Sequence, residues 1–91
     1  MHKKFVTAQA SLLARASVLQ LCGVAENVFT NCHPTIGVLT FSFGEVDLRF
    51  DDENPYNEQA VDEVIKQLDE MIEQEAKKAE HTIEVIKAWR G

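Results

Sequence analysis

The stretch Leu39-Thr40-Phe41-Ser42-Phe43-Gly44-Glu45-Val46-Asp47-Leu48-Arg49-Phe50 alternates apolar and polar side chains on both sides of Gly44-Glu45. Alternation is the period of a strand with one face buried. A two-residue Gly-X loop suits a type II′ hairpin turn, because glycine supplies the positive φ of its first central position. Pairing Phe43 with Val46 then sets Phe41 opposite Leu48 and Leu39 opposite Phe50. All six apolar side chains fall on one face, and Ser42/Asp47 and Thr40/Arg49 fall on the other. A one-residue slip would turn half of that face to water, so the register is specified. The hairpin is predicted over residues 35–51. Since an isolated hairpin is not stable, it must pack on helices or pair its edges.

On its C-terminal side, Asp51-Asp52-Glu53-Asn54-Pro55 is a polar break, with Asn54 in the place of an N-cap and Pro55 at the first helical position. A helix over residues 55–90 is predicted from Val61, Ile65, Leu68, Ile72, Ala76, Ala79, Ile83 and Ile86, which step by three or four. Val64 and Met71 widen the first half of this stripe, and Lys87 and Arg90 fall in a last turn where cations suit the helix dipole. At ~1.5 Å per residue the helix reaches roughly 50 Å, against a diameter of about 30 Å for a compact chain of this length. It therefore protrudes, and its stripe needs a second surface, most simply a second copy of the chain. A break near Glu80-His81-Thr82 that folds the last turns back is the alternative.

On its N-terminal side a helix is predicted over residues 7–22, with Thr7 as N-cap, Gly23 as the left-handed residue that ends it and Val24 packing back on Leu19. Leu12, Ala16 and Leu19 form its apolar line. Ala10, Ala14, Ser17 and Leu21 form an adjoining line that begins with small side chains and admits a close neighbour, with Ala76 and Ala79 as candidates to meet it. Residues 24–34 are open to helix, short strand or loop, and Asn31, His33 and Pro34 suggest irregular chain. The expected architecture is α+β in the order α-β-β-α, one domain over residues 1–91.

The opening Met1-His2-Lys3-Lys4 and the apolar residues after it resemble a secretory signal or an acid-free presequence. Gln9, Ser11, Arg15 and Gln20 interrupt the run, and the segment is expected to belong to the fold. No run approaches the ~20 apolar residues of a membrane helix. With 91 residues and a formal charge of −6, general binding to a nucleic-acid backbone is disfavoured. The charge is concentrated: residues 45–75 hold twelve acids against Arg49 and Lys66, a local balance of −10, while residues 1–44 and 76–91 each carry +2. These acids read first as a solvated helix face and an acidic first turn. They read second as a surface, with Asp62, Glu63, Asp69, Glu70 and Glu73 at its centre, that attracts a basic partner or imitates a nucleic acid.

Cys22 and Cys32 are too few for a disulfide scaffold, and a reducing cytoplasm fits them. Cys32-His33 with Cys22, His81 or His2 lacks the ligand spacing of a zinc module. As a nucleophile and its base, the same pair are neighbours that rarely meet. Asp51 to Asn54 lacks the alternating acids, glycine and distal Glu of a calcium loop. No glycine-rich phosphate loop is present, and no catalytic residue, metal or cofactor is expected. Trp89, with Phe5 and Tyr56, is an aromatic that serves as a core or dimer contact or, if exposed, as a binding anchor. The sequence therefore points to a non-catalytic protein, homodimeric, that binds a protein partner as adaptor, chaperone or inhibitor. The alternative is an acidic nucleic-acid mimic, of the kind a phage or plasmid encodes, that inhibits a nuclease or DNA-binding protein.

Overall fold

The computed structural model describes residues 3–90, apart from the side chain of Arg90; Met1, His2 and Gly91, and the readings that touch them, lie outside the described residues. The chain is α+β with five elements: α1 (Lys3–Leu21), β1 (Val28–His33), β2 (Val38–Phe43), β3 (Val46–Phe50) and α2 (Glu58–Arg90). The order is thus α-β-β-β-α, one strand more than the sequence reading. The strands form an antiparallel meander, β1-β2-β3, and both helices lie on one face of it.

The β2–β3 hairpin has the register the alternation requires, with Phe43↔Val46, Phe41↔Leu48 and Leu39↔Phe50 paired. Gly44 takes the positive φ of 61° that the turn demands, while Glu45 does not share it, as expected of a type II′ turn. The extra strand is the missing partner for the other edge of β2. β1 pairs along its full length, from Val28↔Phe43 to His33↔Val38, so Asn31, Cys32 and His33 are strand rather than irregular chain. Residues 34–37 form the connecting turn instead of the start of the hairpin. There the Gly37 N–H donates to the Pro34 carbonyl at 3.3 Å and the Ile36 N–H to that of His33 at 3.2 Å.

α1 begins at least four residues before the expected start, and Thr7 lies inside it rather than capping it. The reason is packing: Phe5 and Ala8 carry the buried line Leu12–Ala16–Leu19 one turn further back. Its C-terminus closes as a Schellman motif. Gly23, at φ 78°, donates to the Gln20 carbonyl at 3.0 Å and Val24 to the Leu19 carbonyl at 3.1 Å.

α2, by contrast, starts later than expected. Asn57, not Asn54, is its N-cap: the Asn57 Oδ1 accepts the Gln59 N–H at 2.9 Å and the Ala60 N–H at 3.3 Å. Asn54 is held in the preceding turn, where its N–H donates to the Asp51 carboxylate at 2.9 Å and its amide to the Arg49 carbonyl at 2.6 Å. From Glu58 the helix is continuous for 33 residues, including Glu80-His81-Thr82, and stretches the molecule to 59 Å by 22 Å by 20 Å.

The core has two parts. Near the start of α2, Phe5, Ala8, Leu39, Phe50 and Val61 pack together with Tyr56 against them; further along, Leu12, Ala16, Leu19, Phe41, Phe43, Val46, Val64 and Leu68 form the larger cluster. Tyr56 stands one residue before the cap and Val61 four residues into the helix, the positions of a hydrophobic staple. The Tyr56 ring meets Phe5 edge-on at 5.0 Å and Phe50 at 5.1 Å, with the Lys4 ammonium 4.8 Å from its centroid. Its hydroxyl donates to Glu58 at 2.7 Å.

Candidate docking surfaces

One cluster joins Phe5 and Ala8 at the start of α1 to Val61 at the start of α2, and the other joins Leu12, Ala16 and Leu19 to Val64 and Leu68 further along, so α1 runs beside α2 in the same direction. The Arg15–Asp69 ion pair, at 2.7 Å, fixes the same alignment. α1 ends at Leu21, level with the middle of α2. Beyond that level no other element among the described residues lies against α2.

The stripe read from the sequence is therefore divided. Val61 and Leu68 are buried, at 2% and 0% exposure, and Ile65 and Ile72 are half-buried against the same core. These four belong to the fold of the single chain. Ala76 and Ala79 are exposed, and Ile83 and Ile86 are 52% and 46% exposed. Trp89, at 87% exposure, stands near the free end. The small-residue line Ala10, Ala14 and Ser17 is also exposed, and within one chain it does not meet Ala76 or Ala79.

A second apolar surface lies on the outer side of α1. Val6, Val18 and Leu21 are exposed there beside the alanines. Between Lys3 and Leu21 the only charges are Lys3, Lys4 and Arg15, so the outer side of this helix carries small and apolar side chains with few charges among them. A third surface is the open face of the sheet, where Phe29 is exposed and borders a shallow depression of about 300 Å³ with Thr40, Ser42, Asp47 and Arg49. Between the hairpin turn and α2, a cleft of about 290 Å³ is lined by Val24, Ala25, Phe43, Val46, Gln67 and Met71.

The acidic residues form a broken surface. Asp69 is paired with Arg15 at 2.7 Å and Glu73 with Lys77 at 3.6 Å. Asp62, Glu63 and Glu70 are exposed and form no ion pair among the described residues. The Asp51 carboxylate accepts N–H groups from Glu53 and Asn54 at 2.9 Å and meets the Arg49 guanidinium at 2.9 Å. The backbone hydrogen bond from Asn54 leads the contacts that hold its pKa below the ordinary value. Its oxygens serve the turn.

Cys32 and His33 are consecutive in β1 and so point to opposite sheet faces. Cys32 faces the helices, where burial pushes its thiol pKa up, and His33 faces outward. Cys22 lies exposed beyond the end of α1, and both cysteines are free. Among the described residues no three His, Cys, Asp or Glu side chains come together as a metal site, and no helix is long and apolar enough to cross a membrane. Comparison with protein-family models, curated proteins and solved structures finds no match to this chain.

Proposed function

We propose that the chain is a non-catalytic protein-binding module of the reducing cytoplasm that works as a homodimer, an adaptor, chaperone or inhibitor in type. The observation that supports this reading is the distal half of α2, where Ala76, Ala79, Ile83 and Ile86 continue the core stripe past the end of α1 with nothing among the described residues to cover them. A helix that projects from its own domain and keeps an apolar line requires a second surface. The second copy is the first candidate because every molecule in solution carries the same uncovered line. The outer side of α1 and Phe29 then remain as apolar surfaces for a different protein.

The alternative, an acidic nucleic-acid mimic, is less well supported. Of the five acids at its centre, Asp69 and Glu73 are engaged by cations, which interrupts the run of charge that a basic groove reads.

Light scattering over a dilution series to low micromolar concentration, at low and high salt, tests the reading. The expected mass is twice the 10.3 kDa of one chain in both salts, falling to one chain in an Ile83→Glu/Ile86→Glu variant with unchanged helix content. A wild-type mass of 10.3 kDa throughout contradicts it. For the mimic, neutralising Asp62, Glu63, Asp69, Glu70 and Glu73 together would abolish a steeply salt-dependent complex with a basic protein.

A further inference from the structure

The occupant of the distal half of α2, and its direction, can be read from the residues themselves; the argument rests on the self-association proposed above. From Ala76 onward the stripe is Ala76, Ala79, Ile83, Ile86, with spacings of three, four and three. This pattern is symmetric about His81. When two such helices run antiparallel with a twofold axis at that level, Ala76 of one faces Ile86 of the other, and Ala79 faces Ile83. Every layer then sets a small side chain against a large one, which fills a helix interface evenly. In a parallel pair each residue faces its own copy, so two alanine layers leave gaps beside two isoleucine layers.

The charges beside the stripe select the same direction. Glu73, Glu80 and Lys87 flank it on one side, and Glu75, Thr82 and Trp89 flank it on the other. A perpendicular twofold brings each flank against itself, so Glu73 meets Lys87 at both ends, with one Glu80–Glu80 contact on the axis. A parallel pair instead sets Glu75 against Glu80 twice. Opposed like charges disfavour that arrangement.

The overlap also matches what is uncovered. Antiparallel pairing brings the end of one helix level with Ile72 of the other, where the stripe enters the core of that chain.

We infer that two copies of this chain pair antiparallel through residues 72–90 of α2, about a twofold axis at His81. The same register brings Trp89 of one copy level with Glu73 of the other, against the flank that carries Glu75.

Disulfide trapping tests this. In a Cys22→Ser/Cys32→Ala background, one preparation carries Ala79→Cys and a second, with a mass tag, carries Ile83→Cys. Both positions lie outside the core, so folding is not at issue. Mixed and oxidised, they are expected to give the 79–83 mixed disulfide well above the half that random pairing yields, because only facing positions bring Cα atoms within ~7 Å. Self-linked Ala79→Cys and Ile83→Cys products in place of the mixed one would overturn the antiparallel assignment while leaving the dimer intact. Light scattering on the unoxidised samples separates the two claims, since a single-chain mass there overturns self-association itself. Trp89 is the only tryptophan, so its emission is expected to shift to the blue as the dimer forms; fully solvated emission in the dimer would overturn its place against the partner helix.

Discussion

The two halves of α2 carry the same stripe at the same spacing and have different fates. In the first half Val61, Val64 and Leu68 are sealed by α1 and the sheet. In the second half Ile83 and Ile86 stand in solvent. Periodicity alone does not separate them. What separates them is where α1 stops: Gly23 turns the chain away through its Schellman motif, and α2 continues with no further element among the described residues to lie against. An apolar stripe is thus a statement that a face will be covered, and tertiary structure decides whether the cover comes from the same chain.

The sharpest way to break this comparison is to truncate one residue in each half. Leu68→Ala removes a side chain with 0% exposure and is expected to cost about 2–5 kcal/mol of unfolding free energy. Ile86→Ala is expected to change the stability of the dilute single chain by less than about 0.5 kcal/mol while weakening the dimer. Denaturant unfolding at low and high protein concentration checks both, and equal losses at low concentration would mean that the halves are not distinct.

A smaller effect anchors the first half. Tyr56, the only tyrosine, has its pKa pushed up to about 12 by burial first, then by its hydrogen bond to Glu58 and the negative charge of Glu58 and Asp62. A raised pKa means that the folded chain holds this proton more tightly than the unfolded one. The resulting stability is complete below the ordinary tyrosine value of ~10 and is lost as pH rises through about 12. Phenolate absorbance should show that late titration, and Tyr56→Phe should flatten this part of the alkaline stability loss.

The smallest effect concerns the Arg15–Asp69 pair, whose side chains are 30% and 53% exposed. A double-mutant cycle is expected to give less than ~1 kcal/mol, disappearing in high salt.

What could be read from the sequence was local. The β2–β3 register followed from alternation around Gly44-Glu45, and both helices followed from their stripes. β1 was not legible because Asn31 and His33 are weak strand formers, and its existence depends on an edge of β2 contributed by a distant segment. The cap of α2 was misplaced because Asn54-Pro55 matches the pattern of a helix start, yet Asp51 and Arg49 hold Asn54 in a turn. For the docking surface, the residues were legible and their division was not, since it depends on the length of α1. On α1 the line Ala10, Ala14 and Ser17 was read as a face for a close neighbour, whereas the exposure of Val6 and Val18 beside it was not.

Residue-resolved hydrogen exchange over a protein dilution series tests the central claim most directly, because it reports both halves of α2 in one sample. The account predicts that the amides of residues 61–72 keep the same protection at every concentration, while those of residues 76–89 exchange fast in dilute solution and slow markedly as the dimer forms. Protection of residues 76–89 that is independent of concentration, whether high or low, would contradict it.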